Sequence, residues 1–173
     1  MSKQQEIIKI LCMSDIHGNK SLAEKILKHE KHDFSVFAGD SELNDEWVKK
    51  NFNLCVAGNN DFYSQLPDND FVNISGFRIF VTHGHLFGSY KQLMTPSQLE
   101  IFAKKIKETD LFVYGHTHYP LFYQKDNESV AFLNPGSITY PRFSSTFSYA
   151  VITVDLLTKQ IINVDFYDPT KKF

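Results

Sequence analysis

Aspartate, histidine and asparagine recur in this chain at the ends of apolar runs, in spacings that suit divalent metal ions. Asp15-Ile16-His17 follows Ile7 to Met13, and Asp40 follows Asp33 to Ala38. Gly58-Asn59-Asn60-Asp61 follows Phe52 to Ala57, His83 ends Phe77 to Thr82, and Gly115-His116-Thr117-His118 follows Leu111 to Tyr114. Each has an ordinary explanation when taken alone: a helix cap, a Gly/Asn turn, a structural histidine. Together they bring carboxylate, amide and imidazole to one rim, since ligands in open α/β sheets bind beyond the carboxyl ends of the strands. Residues two apart at an extended strand end point the same way. Asp15 then pairs with His17 and His116 with His118, while Ile16 and Thr117 turn away. A donor set without thiolate suits Mn, Fe, Zn or related ions rather than a closed structural zinc site. Two ions that share one carboxylate need roughly seven protein ligands and keep positions open for water and substrate.

The elements that must hold these residues alternate in the first half. Ile7 to Met13 reads as a buried strand, Asn19 to His32 as a helix with Leu22, Ala23, Ile26 and Leu27 on one face, and Asp33 to Ala38 as a second strand. Asp45 to Lys50 reads as a short helix and Phe52 to Ala57 as a third strand, which implies parallel βαβ units. Phe71 to Ile74 and Phe77 to Thr82 form a hairpin around Ser75-Gly76. A loop from His83 to Met94 precedes a helix started by Thr95 as N-cap and Pro96 at its first position. Beyond Leu111 to Tyr114 the chain reads as antiparallel β, with strands at Leu121 to Gln124, Val130 to Leu133, Tyr149 to Asp155 and Ile161 to Phe166. The expected fold is α/β: a two-sheet β-sandwich of mixed and antiparallel strands flanked by helices.

At 173 residues the chain fits one domain, residues 1–173, with a core that needs no disulfide staple. The 42% apolar content, with 16 Phe and 8 Tyr, excludes a disordered chain. Net charge is −2 and no basic block occurs, so nucleic acid is not an expected partner. No apolar stretch approaches the ~18 residues of a membrane span, and Met1 to Lys9 lacks the features of a secretory signal. Cys12 and Cys55 sit in apolar strand candidates and read as buried thiols in a reducing compartment. The expected location is the cytoplasm, and a homo-oligomer is left open.

The order Asp-x-His, Gly-Asp, Gly-Asn-x-Asp, His-Gly-His, Gly-His-Thr-His resembles the calcineurin-like metallophosphoesterase superfamily. The short chain and Asn134-Pro135-Gly136-Ser137 resemble its small bacterial and archaeal phosphodiesterase subfamily, whose fold the non-catalytic retromer subunit of vacuolar sorting shares. The resemblance implies that Asp15, His17, Asp40 and His118 hold a first metal. Asp40, Asn59, His83 and His116 would hold a second, with Asp40 bridging. Two departures stand out. Many members have Asp-Arg-Gly shortly after Gly-Asp, where this chain continues Ser41-Glu42-Leu43-Asn44, and they carry His where this chain has Asn60. Both argue against a phosphoprotein phosphatase and favour a leaving group that departs with less help.

The implied activity is metal-dependent hydrolysis of a small phosphodiester by a metal-bridging hydroxide at a two-metal site, with Mn the first choice and Ni, Zn, Fe or Mg as alternatives. Asn60 is placed to donate an amide hydrogen bond to a phosphoryl oxygen but cannot act as an acid. His85, two residues after His83, either supplies a proton or orients a ligand. Arg142, one of two arginines with Arg78, either reaches a substrate phosphate or serves the surface. Leu86 to Met94 is expected to border the cleft, with Phe87, Gly88 and Tyr90 as an aromatic wall. The alternatives are a phosphomonoesterase or nucleotidase, and a non-catalytic retromer-like scaffold.

Overall fold

The computed structural model describes residues 6–106 and 108–173. Met1 to Gln5, part of the polar N-terminus discussed above, lie outside the described residues. The first half runs β1 (Ile7–Met13), α1 (Lys20–His29), β2 (Phe34–Ala38), α2 (Asp45–Asn51) and β3 (Leu54–Val56). The middle contributes β4 (Asn69–Ile74), β5 (Phe77–Thr82), α3 (Tyr90–Leu93), α4 (Pro96–Ala103) and β6 (Leu111–Val113). The remainder is β7 (Leu121–Gln124), β8 (Ala131–Asn134), β9 (Tyr149–Asp155), β10 (Gln160–Tyr167) and α5 (Pro169–Lys172).

Two five-stranded sheets result, in the orders β10-β9-β1-β2-β3 and β4-β5-β6-β8-β7. β1 pairs parallel with β2, Ile10 opposite Phe34, and β2 pairs parallel with β3. In the second sheet β5, β6 and β8 are mutually parallel, and β4 and β7 close the edges antiparallel. The second sheet is therefore as mixed as the first. The last hairpin, β9 and β10, returns to the first sheet, where β9 runs antiparallel to β1.

Strand alternation sorts the apolar residues into three layers. Ile10, Cys12, Val36 and Ala38 meet Ile79, Val81, Leu111, Val113 and Leu133 between the sheets. Leu11, Met13 and Phe37, on the opposite face of the same strands, pack with Ala23 and Ile26 of α1 and Val48 of α2. Phe80, Phe112 and Phe132 receive Leu93, Leu99 and Phe102 from α3 and α4. The central strands are apolar on both faces because both faces are covered, which is why they read as unbroken apolar runs.

Local chemistry sets the boundaries. Ser75 (φ 49°) and Gly76 (φ 91°) both lie at positive φ, as a two-residue hairpin turn matching strand twist requires. α1 stops at His29, short of the expected His32, because Asp33 must exchange bonds with Lys9: its carboxylate accepts from Lys9 N at 2.8 Å and its N–H donates to Lys9 O at 2.8 Å. The chain has to turn extended at Glu30 to reach that position. Thr95 occupies the N-cap of α4, but its hydroxyl donates to Lys91 O at 2.6 Å rather than capping. The His83–Met94 loop contains α3, held by a Ser89–Gln92 capping box.

Candidate metal centre

Asp15, Asp40, Asn59, His83, His116 and His118 all follow the carboxyl ends of strands, and the parallel strands of both sheets bring those ends to one rim. Loop backbones continue the pairing past the strands. Asp15 N donates to Gly39 O at 2.9 Å, His17 N to Asp40 O at 3.1 Å, and Gly115 N to His83 O at 3.0 Å. The convergence is not that of extended strand ends. Asp15, His17, Asp40, His116 and His118 have φ between 46° and 68°, in the left-handed region. Non-glycine residues pay about 1–3 kcal/mol each for such strain and keep it only where surroundings enforce it. The predicted alternation survives: Ile16 is buried against α1, and Thr117 Oγ1 accepts from Asn134 Nδ2 at 2.9 Å.

Asp15, His17, Asp40 and His118 each offer an atom within 4.8 Å of the others. His118 Nε2 lies 3.1 Å from Asp15 Oδ1 and 3.1 Å from His17 Nε2. A second group shares Asp40. His83 Nε2 is 3.3 Å from Asp40 Oδ2 and 3.1 Å from Asn59 Oδ1. The His116 ring adjoins it, 5.2 Å from the His83 ring, and its backbone N–H donates to Asp15 Oδ2 at 3.2 Å. Among the described residues, Asp15 Oδ1 is buried without a hydrogen-bond partner. An unpaired buried carboxylate oxygen is costly, and a cation between it and the imidazoles would satisfy it.

The imidazoles are prepared for that role. His83 Nδ1 lies 2.7 Å from Ala38 O, His118 Nδ1 2.6 Å from Tyr140 O, and His17 Nδ1 2.6 Å from Glu42 Oε1. In their neutral forms, with the proton on Nδ1 donated to these oxygens, the rings would present Nε2 lone pairs to an ion beside the carboxylates, the usual arrangement of metal-binding histidine. Burial, then the neighbouring His83 charge, pushes the His116 pKa down to about 4, which keeps that imidazole neutral. Burial opposes protonation of His83, but the Asp40 and Asp15 carboxylates favour it. Burial also opposes ionisation of Asp40, but hydrogen bonds from that protonated ring and from Asn60 outweigh it and hold the carboxyl well below its usual range.

Asn60 grips Asp40 from both ends: its N–H donates to Oδ1 at 2.8 Å and its amide Nδ2 to Oδ2 at 2.6 Å. Gly58 makes room for this, since a Cβ there would come within 2.1 Å of Asp40 Oδ1. The His85 ring lies 5.5 Å from His83 and 6.0 Å from His116, and its Nδ1 is buried without a partner among the described residues. Burial and the His83 charge lower its pKa. Tyr90 lies against His116 with rings 4.8 Å apart, so the Leu86–Met94 segment does reach the centre. Phe87 does not join that wall, because its ring packs inward on Phe80, Phe102 and Phe112.

Several supporting residues have no role assigned from sequence, although Asp61, Asn134 and Ser137 lie within the quoted motifs. Glu42 holds His17. Asp61 accepts from Asp40 N at 2.8 Å, Gly58 N at 2.8 Å and Glu42 N at 2.7 Å, tying the two loops together. Asn134 and Ser137 brace the rim from behind: Asn134 Nδ2 donates to Gly115 O at 2.8 Å and Ser137 Oγ to Asp15 O at 2.7 Å. An Asp just after a Gly/Asn turn signals such a clamp in principle, whereas the partner loop is a tertiary matter.

The profile of the calcineurin-like phosphoesterase superfamily domain matches residues 8–156, including every residue of this rim. The chain belongs to that superfamily. A probable metallophosphoesterase of Bacillus subtilis, YsnB, is 31% identical over 161 residues, 92% of this chain and 90% of that one. The phosphodiesterase YfcE of Escherichia coli is 35% identical over 86 residues, 50% of this chain and 40% of its own length. A predicted phosphoesterase from Streptococcus pneumoniae has a solved structure that superposes with a TM-score of 0.80 at 30% identity, covering 96% of this chain and 92% of that one. The rim thus lies within the superfamily's domain, and among the described residues no helix is long and apolar enough to cross a membrane.

Proposed function

We propose that this phosphoesterase is a two-metal phosphodiesterase acting on a small phosphodiester. Asp15, His17, Asp40 and His118 would hold one divalent ion, and Asp40, Asn59, His83 and His116 the other. The observation that carries the reading is Asp40, whose Oδ2 lies 3.3 Å from His83 Nε2 and 3.9 Å from His17 Nε2, between the two groups of donors. When bound, a pair of divalent ions supplies Lewis acidity toward phosphoryl oxygens and lowers the pKa of the attacking water.

The chain's own residues do the rest. Asn60 fixes the orientation of Asp40 through its amide and has a further N–H for a phosphoryl oxygen. It has no proton to give a leaving group. His85 faces the same rings with an unpartnered Nδ1, placed to hold a proton or a water at the cleft. With no acid at position 60, acidic phenols leave more readily than alkoxides, which favours diesters activated in one arm over alkyl monoesters. YfcE, a phosphodiesterase by name, supports the same substrate class. The reading takes residues 1–173 as one domain, on the strength of the shared inter-sheet core. The free thiols of Cys12 and Cys55 favour the cytoplasm.

The deciding experiment is metal analysis of the purified protein with assays of bis(p-nitrophenyl) phosphate and p-nitrophenyl phosphate across Mn, Ni, Zn and Mg. We expect about two ions per chain, highest turnover with Mn, preference for the diester, and reversible loss on chelation. Preference for the monoester would make the protein a phosphomonoesterase. Two bound ions without turnover of either ester would favour the scaffold.

A further inference from the structure

The chain has two arginines, and they are used differently. Arg78 is saturated, bound by Asp110 through Nε and Nη2 at 2.9 Å each and by Glu108 through Nη1. Arg142 is exposed, and among the described residues it faces no carboxylate within ion-pair distance. Its guanidinium carbon sits 5.3 Å from the centre of the Tyr90 ring, and Nη1 donates to the Tyr90 hydroxyl. That ring is the one packed on His116, at 4.8 Å. Phe143 and Ser144, directly after Arg142, have φ of 54° and 60°, so the turn presenting the arginine is held in a strained form. Strain of this kind persists where neighbouring contacts enforce it, and here the exposed Phe143 ring meets Tyr90 and Tyr119 edge-on, 6.3 Å from each.

The groove beside Asn60 has the opposite character. It has a volume of about 630 Å³ and is lined by Glu42, Asp45, Glu46, Phe62 and Tyr63, with no lysine or arginine in its wall among the described residues. An anionic substituent is repelled there and drawn to the Arg142 side. A planar guanidinium already ordered on an aromatic face loses little freedom when it binds a phosphate, and its remaining N–H groups match two phosphate oxygens.

We propose that Arg142, held on Tyr90, is a substrate-binding residue that takes a second phosphate group carried on one alcohol arm of the phosphodiester. The inference rests on the phosphodiesterase reading for its substrate. It goes beyond that reading in naming a diester with an additional anionic group, oriented with that group over Tyr90 and away from the Glu42 groove.

The test uses ligands that differ only in that group. Calorimetric titration of Mn-loaded protein with thymidine 5′-monophosphate and thymidine 3′,5′-bisphosphate reads binding alone. Hydrolysis of the p-nitrophenyl 5′-esters of the same two nucleotides reads kcat/KM with one leaving group. We expect the extra phosphate to improve both quantities about tenfold, the scale of one charge-assisted contact. Arg142→Ala should bring both ratios close to one, Arg142→Lys should keep part of the gain, and Tyr90→Leu should lose most of it. Arg142 is on the surface, so an unchanged melting temperature serves as the folding control. Ratios near one in the wild type, or a full gain retained in Arg142→Ala, would overturn the proposal. Failure of both esters to turn over, with binding ratios still dependent on Arg142, would remove the phosphodiesterase reading and leave the phosphate site standing.

Discussion

His17, His83 and His118 each have Nδ1 facing a fixed oxygen, and only His17 uses a charged side chain for it. Glu42 Oε1, 2.6 Å from His17 Nδ1, fixes the orientation and tautomer of that imidazole. We expect Glu42→Gln to keep the fold and to weaken binding of the ion at Asp15, His17 and His118 by about tenfold or more, within the range for loss of such supporting contacts. Competition with a chromophoric chelator measures this directly. Affinity equal to the wild type would show that His17 needs no help from Glu42. Asp40→Asn is a harsher change, because a neutral amide replaces the carboxylate shared by both groups of donors. Metal content should fall at both positions and kcat/KM by at least about 10²-fold. Retention of two ions with near-normal turnover would remove Asp40 as the bridge.

The parallel run β5-β6-β8 carries His83, His116 and His118, and its opposite end is bolted by one carboxylate. Asp110 accepts from Arg78 N at 2.7 Å and from its guanidinium, its N–H donates to Arg78 O at 2.9 Å, and its carbonyl accepts from Ala131 N at 2.9 Å. Burial works against the Asp110 charge, but the Arg78 bonds prevail and lower its pKa. A carboxylate with a depressed folded-state pKa contributes stability above its unfolded pKa of about 4, and loses it as pH falls through the folded value. Asp110→Asn should therefore destabilise the protein by about 1 kcal/mol at pH 7, with allowance for solvent screening of a partly exposed pair. The difference from wild type should shrink as pH drops below 4. Urea titrations at pH 7 and at roughly pH 3 test the sign, and an equal difference at both would mean the ion pair is not its source.

At the scale of the molecule, the C-terminal segment is secured by contacts of its own. α5 folds back so that Lys172 Nζ meets Glu30 Oε2 at 2.6 Å, where the Tyr149 hydroxyl also donates at 2.6 Å, and the same ammonium lies 3.5 Å over the Tyr167 ring. The Phe173 ring packs 5.7 Å from that of His29. These contacts join β9, β10 and α1 and include none of the rim residues. Removing residues 169–173 should lower the melting temperature by roughly 2–8 °C, the equivalent of about 1–2 kcal/mol in a domain of this size. kcat/KM should stay within about twofold of wild type. A large loss of activity in a truncated protein that remains folded would show that the clasp acts on the site.

Much was legible before the structure because the apolar runs, Gly/Asn turns and caps are local signals, and local signals need only a few neighbours to be decoded. β1 and β5 have the boundaries their residue pattern predicts, and the donor residues stand at strand ends as their spacing implied. The partners of β8 and β9 were not legible. An apolar four- or seven-residue strand carries no mark of which sheet will take it, and β8 parallel to β6 with β9 back beside β1 is decided by which faces remain to be covered. The same holds at the rim. Sequence determined that Asp15, His17, Asp40, Asn59, His83, His116 and His118 would be available near one edge. The tertiary structure alone decided that most of them turn in through left-handed backbone, that Asn60 and Asp61 clamp a neighbouring loop, that Phe87 is core while Tyr90 is wall, and that Arg142 rests on Tyr90 beside the centre. Each of these depends on a partner distant in the chain, and that partner becomes a neighbour only after the two sheets have packed.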